Sequence, residues 1–168
     1  MQITQKISPC LWFDDQAQEA AQFYTEVFDQ SRILGMTHYG SAGFEIHGRP
    51  EGSVMSVLFE LAGQTFTALN GGPVFTFNEA ISLQISCEDQ AEIDRYWTAL
   101  TEGGDPDSQV CGWLKDRYGV SWQVVPALLT DMIGRTDAEA GNRVMTALLK
   151  MKKIDVGMLQ AAFDGEGD

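Results

Sequence analysis

Two histidines, three cysteines and eleven basic side chains make up the whole supply of imidazole, thiol and cationic groups in this 168-residue chain. Against 24 acidic side chains they leave a formal charge of −13, which repels phosphate backbones and anionic lipid. Nucleic-acid and membrane-surface partners are therefore not expected. Cys10, Cys87 and Cys111 form no C-x-x-C pair, so neither a zinc knuckle nor a thioredoxin-type redox site is expected. Free thiols suit a reducing compartment. No apolar run approaches the ~18 residues needed to span a bilayer. Met1 to Lys6 lack the apolar core of a signal peptide, so the expected location is cytoplasmic. What is present is a composition of 44% hydrophobic and 21% charged residues, ordinary for a globular protein. A chain of this length buries about 70% of its unfolded surface and needs no staples.

An internal repeat organises the chain. Ile7 to Phe13, followed by Asp14-Asp15-Gln16-Ala17, matches Ile81 to Cys87, followed by Glu88-Asp89-Gln90-Ala91, at a shift of 81 − 7 = 74. Each run alternates as a half-buried strand does. Ile7, Pro9, Leu11 and Phe13 share one face, as do Ile81, Leu83, Ile85 and Cys87. The opposite faces carry Ser8, Cys10 and Trp12, and Ser82, Gln84 and Ser86. A helix follows each strand. Asp15 with Gln18, and Asp89 with Glu92, fit the N-cap and N3 positions of a capping box. The apolar helix positions are Ala20, Phe23, Tyr24 and Val27, then Ile93, Tyr96, Trp97 and Leu100, offset by 73 rather than 74. Gly103-Gly104 suits a left-handed helix end.

The halves also close alike. Glu60 to Thr67 resembles Asp116 to Gln123 at a shift of 119 − 63 = 56, each a turn on an acid and a glycine that feeds a strand. Ile33 to Tyr39 and Ser53 to Glu60 are two further strands, around a loop containing Gly and Pro. The first half is β-α-β-β-β; in the second, a strand near Gln109 to Cys111 must be short or degenerate. The fold class expected is α+β, with paired βαβββ modules at 7–70 and 81–125 within residues 1–126, and a C-terminal helical extension over 127–168. In each well-read strand one face is apolar and fits its own helix. The other, bearing Ser, Thr, Gln or Cys, either lines a concave ligand surface or is covered by the C-terminal helices or a partner.

The helix entry Phe23-Tyr24-Thr25-Glu26-Val27-Phe28 and the paired modules resemble the vicinal-oxygen-chelate superfamily of glyoxalase, bleomycin-resistance and dioxygenase proteins. Phe59 to Gln64, Ala68 to Pro73, Phe77 to Ala80, Cys87 to Gln90, Gly112 to Asp116 and Val144 to Asp155 resemble its PhnB-like branch, the demethylubiquinone-methyltransferase-like domain. In metal-dependent members of the superfamily, His and Glu on the first and last strand of each module hold the metal. Those positions fall at or beside Ser8, Thr67, Ser82 and Gln123. Neutral hydroxyls and an amide are poor ligands for Zn²⁺, Ni²⁺ or Fe²⁺. No metal and no cofactor is expected. The resemblance also implies a homodimer.

Among remaining candidates, His38 on the second strand is either an acid or base facing a cleft or a hydrogen-bonded strand residue. His47 reads as an exposed loop histidine. Cys10 has no cationic neighbour in sequence to activate it, and reads as a nucleophile or a small packed thiol. Gln123 offers a donor and an acceptor to a ligand, or is a sheet-surface amide. Trp12 suits an aromatic wall, and Trp97 and Trp122 the core. The pairs Asp14-Asp15 and Glu88-Asp89 read as caps rather than catalytic carboxylates. Both junctions lack the glycine-rich turn that a nucleotide-type methyl donor needs, which disfavours methyl transfer.

After Pro126, helices are expected at Ala127 to Ile133, from a Thr136/Asp137 cap to about Met151, and over Asp155 to Phe163, ahead of the frayed tail Asp164 to Asp168. Lys150, Lys152 and Lys153 sit where a helix dipole favours cations. The expected function is metal-free binding of a small organic molecule by Ser8, Cys10, Trp12, Thr67, Ser82 and Gln123. The alternatives are a superfamily lyase, isomerase or dioxygenase with an atypical site using His38 or Cys10, and an interaction module closed by dimerisation.

Overall fold

The computed structural model describes residues 5–134 and 138–166. The expected Thr136/Asp137 cap, the extreme N-terminus and Gly167-Asp168 lie outside them. The chain divides into two compact units, Met1–Phe77 and Asn78–Asp168.

The first unit runs β1 (Cys10–Phe13), α1 (Ala17–Val27), β2 (Arg32–His38), a one-turn α2 (Phe44–His47), β3 (Val54–Leu61) and β4 (Gln64–Asn70). Its sheet has the order β1-β4-β3-β2, with β1 parallel to β4 and the other pairs antiparallel. Leu11, Phe13, Val57, Phe59, Phe66 and Ala68 are buried on one face with Ala17, Ala20, Ala21 and Tyr24 of α1. Tyr24 stacks 6.3 Å from Phe59, and Phe59 stacks 5.4 Å from Phe66. Alternation thus places the core as read. Ile7, however, is 86% exposed, and β1 begins three residues later. Pro9 has no N–H to give a ladder; only its carbonyl takes part, accepting from Thr67 N at 3.0 Å.

The second unit begins with β5 (Leu83–Cys87), α3 (Gln90–Thr101), a 3₁₀ turn at Pro106–Ser108, β6 (Trp113–Lys115) and β7 (Ser121–Pro126). Its sheet has the order β5-β7-β6, with β5 parallel to β7. The repeat holds at the level of register: Cys10 faces Thr67 in one sheet, and Gln84 faces Gln123 in the other. These are the same two rungs under shifts of 74 and 56. Ile93, Tyr96, Trp97 and Leu100 of α3 are all buried. Ile81 is 80% exposed, because Leu83 already meets Trp122, the second residue of β7.

Three strands stand here where the repeat predicts four. The segment near Gln109–Cys111 makes one isolated bridge, Val110 to Trp113. Cys111 and Gly112 have φ of +52° and +84°, which no strand accommodates. Their amides donate instead to the Met151 and Lys152 carbonyls, each at 2.8 Å. The returning chain thus takes up the amides of this segment.

Beyond β7 come α4 (Leu129–Gly134), α5 (Ala138–Leu148) and α6 (Val156–Asp164). Met132, Val144, Leu148, Met151, Ile154 and Leu159 form one apolar cluster with Val125. Val125 shares a sheet face with Gln123, so these helices cover one end of the mixed face of the second sheet. No helix among the described residues is long and apolar enough to cross a membrane.

Helix entry differs between the repeats. Asp89 caps α3 as expected: its Oδ1 accepts from Glu92 N at 2.9 Å, and Glu92 Oε2 reaches back to Glu88 N at 2.8 Å. Asp15 and Gln18 form no such box. The N-cap of α1 is Gln16, which makes no side-chain cap bond, one residue beyond the expected site. That displacement is the 73-residue helix offset. Asn70, at the end of β4, supplies the missing acceptor: its Oδ1 takes Ala17 N at 2.8 Å while its Nδ2 donates to Val54 O at 3.0 Å.

Candidate functional site

The mixed face of the first sheet carries Cys10, Trp12, Thr67 and Leu69, continued on β3 by Ser56 and Leu58. Trp12 is half-buried and fixed. Its Nε1 donates to Gly72 O at 2.8 Å, and its ring meets Phe75 edge-on at 5.0 Å. A Cβ on Gly71 would fall 2.2 Å from Trp12 Cζ2, so only glycine lets the backbone pass beneath the indole. Thr67 is half-buried opposite Cys10, with Ser8 just ahead of β1. Cys10 lies on the exposed side, and partial burial of its sulfur pushes the thiol up from its ordinary value. That opposes its use as a nucleophile.

His38 is exposed at the end of β2, opposite Val54 across a bulge. His47 is not the exposed loop residue expected from sequence: it is half-buried at the end of α2. Its ring stacks 4.5 Å from Tyr39, Nδ1 accepts from Arg49 N at 3.0 Å, and Nε2 lies 3.2 Å from Ala42 O. These contacts fold the loop between β2 and β3. Arg49, which sequence reasoning missed, then reaches back to the Asp14 carboxylate at 2.7 Å. It borders a cleft of about 250 Å³ with Asp15, Gln18 and Asn70.

In the second unit Ser82 and Gln123 meet: Gln123 Nε2 donates to Ser82 Oγ at 2.8 Å. On the same face Gln123 stands between Gln84 and Trp113. Next to this row opens a cavity of about 580 Å³, lined by Trp113, Lys115, Ser121, Val110, Cys111 and Leu149 among others. Lys115 is ion-paired with Glu79, which holds the Glu79 carboxyl below its ordinary range, chiefly through that hydrogen bond. Sequence reasoning missed Trp113 and Lys115 as site residues, although both lie in the Gly112 to Asp116 segment. The signal available was their alternation with Leu114. Cys87 is buried, and desolvation pushes its thiol up to about 12.

The residues at the mapped metal positions do not fit a divalent ion. Three are hydroxyls and one is an amide already bonded to one of those hydroxyls. Among the described residues, no three His, Cys, Asp or Glu side chains converge as a metal site requires.

A helix after the first strand, with that strand parallel to the last one of its sheet, occurs twice at matching register. The first unit is a complete βαβββ module and the second is one strand short of it, an arrangement that belongs to the glyoxalase/bleomycin-resistance/dioxygenase class, the vicinal-oxygen-chelate proteins. Within it, the chain belongs to the PhnB-like family described as 3-demethylubiquinone-9 3-methyltransferase, whose model matches residues 5–125. A PhnB protein from Bacillus cereus is 38% identical over 73% of this chain and 100% of its own, with a TM-score of 0.62. A protein from Staphylococcus aureus is 30% identical over 74% of this chain and 97% of its own, with a TM-score of 0.33. A glyoxylase/bleomycin resistance protein/dioxygenase domain from Frankia is 16% identical, covering 74% and 93%, with a TM-score of 0.43. No curated protein matches the chain.

Proposed function

We propose that this PhnB-like protein binds small organic molecules without a metal, on the neutral sheet faces that carry Trp12 and Thr67 in the first unit and Ser82 and Gln123 in the second. The observation that carries this reading is the Gln123–Ser82 hydrogen bond, which stands where metal-dependent members of the class place ionic ligands. An amide there orients a guest through a donor and an acceptor on one group, and its neutrality leaves apolar and uncharged guests without a desolvated charge to face. Trp12, fixed by its own hydrogen bond, adds a rigid aromatic surface at little entropic cost. In the cell the protein acts as a cytoplasmic homodimer, for which sedimentation at micromolar concentration is the check.

Methyl transfer, the reaction in the family's description, is disfavoured for this chain. A nucleotide-type donor needs open amides at a glycine-rich helix start. Here Asn70 occupies Ala17 N and Asp89 occupies Glu92 N. Catalysis by Cys10 or His38 is disfavoured too, since one thiol is pushed away from ionisation and the imidazole stands exposed at a strand end.

Thermal-shift screening against a metabolite library, in the presence of EDTA, tests the reading. The expected result is a set of organic molecules that raise the melting temperature, with the rise lost in Gln123→Leu and retained in His38→Gln. A rise that appears only when a divalent ion is added would overturn it.

A further inference from the structure

The family model stops at residue 125, yet the cavity of the second unit is not finished there. Leu149, just past the end of α5, forms part of its wall. The Met151 and Lys152 carbonyls of the segment that follows accept from the amides of Cys111 and Gly112, which lie in left-handed backbone. Gly112 also packs against the extension, since a Cβ on it would fall 2.9 Å from Ile154 Cδ1. The C-terminal segment therefore shapes two sides of the cavity.

The lining is mostly apolar. Val110 and Leu149 are 52% and 65% exposed, Trp113 offers an aromatic floor, and Cys111 adds a small soft contact. Polar character is concentrated in the Lys115–Glu79 pair, beside Ser108, whose Oγ accepts from Lys115 N at 2.8 Å. The other charged groups nearby are Asp107, which is exposed, and Lys152, whose Nζ lies 3.4 Å from Pro106 O. Neither sign prevails.

An intact ammonium–carboxylate pair presents N–H donors on one side and carboxylate lone pairs on the other. A charged guest would have to compete with one member for the other. A neutral guest with an adjacent acceptor and donor adds two charge-assisted hydrogen bonds and leaves the pair whole. We propose that the C-terminal extension completes a pocket for a neutral, largely apolar ring system bearing an amide-like acceptor–donor edge, with Lys115 and Glu79 reading that edge and Leu149 and Trp113 holding the ring. This rests on the organic-ligand reading and names the guest's chemistry.

Three probes with one body separate the possibilities: 2-naphthamide, 2-naphthoate and 2-naphthylmethylammonium, titrated into the full chain by calorimetry. The amide binds at least about tenfold more tightly than either ion, one hydrogen bond's worth of discrimination. Leu149→Trp fills the cavity from an exposed position and lowers amide affinity by about tenfold or more. Lys115→Met lowers it comparably and raises affinity for the ammonium probe. The unfolding transitions of both variants establish that they are folded. Failure of the amide to bind, preference for either ion, or indifference to Leu149→Trp in a folded variant overturns the proposal. Should library molecules still bind with Gln123 dependence in that event, the organic-ligand reading survives; should no organic molecule bind, both fall together.

Discussion

Asp116 accepts from Tyr118 N at 2.8 Å, Val120 N at 3.0 Å and the Trp122 indole at 2.8 Å while only 3% exposed. One carboxylate thereby fixes both the turn into β7 and the orientation of a core tryptophan. The sequence marks it as a turn acid ahead of Gly119, but its reach to Trp122 depends on how the turn folds back. Removing it strands buried donors, so Asp116→Ala is expected to destabilise the protein by about 3 kcal/mol or more, read by urea unfolding. Asp116→Asn, which keeps an acceptor, should cost less. Equal losses in the two variants would show that acceptance by the side chain is not what matters. The site residues divide in the same way. The sheet face on which Cys10, Trp12, Thr67 and Gln123 lie was legible from alternation, because a strand's two-residue period fixes each side chain's face. Trp12's tether to Gly72, the stacking of His47 on Tyr39 and the Lys115–Glu79 pair were not, since each joins residues separated by turns or loops.

The two strand-to-helix junctions look alike as sequence and are built differently. Local pattern suffices for α3, where Asp89 and Glu92 cap within one turn. In α1 the acceptor comes from Asn70, 53 positions downstream, which no local signature reports. Asp89→Ala should therefore cost about 1 kcal/mol in thermal or denaturant unfolding, the usual worth of a cap, while Asp15→Ala costs little. The reverse order would return the cap to Asp15. Strand loss in the second unit follows the same logic. The chain was too short there for a full strand, and this much was readable; that Met151 and Lys152 would accept from its amides required the tertiary fold.

For the whole molecule, a charge of −13 makes each basic anchor count. Lys153 pairs with Asp94 of α3 at 2.5 Å, and Gln90 of the same helix donates to Ile154 O and accepts from Val156 N. Together they tie the C-terminal segment to the repeat core. The Lys153 hydrogen bond, followed by that of Gln90, holds the Asp94 carboxyl below its ordinary value. A depressed folded-state pKa contributes stability that is present above the unfolded carboxyl range and is lost as pH falls through the folded value. Lys153→Met should raise the Asp94 midpoint in a carboxyl NMR titration and flatten the acid limb of stability; an unmoved midpoint would show that the pair is absent in solution. The expected α+β class and repeated plan follow from periodicity and spacing, which are properties of the chain as a whole. The chemistry of the proposed guest does not, because the side chains that would read it are brought together only by the fold.

The central claim is that neutral side chains have replaced the ionic ligands of the class. Its most direct test is calorimetric titration of the chelator-stripped protein with Zn²⁺, Ni²⁺ and Mn²⁺, beside elemental analysis of the protein as purified. The account predicts no stoichiometric metal in either experiment and no heat that depends on Ser82 or Gln123. One tightly bound divalent ion per chain, lost in Gln123→Leu, would contradict it.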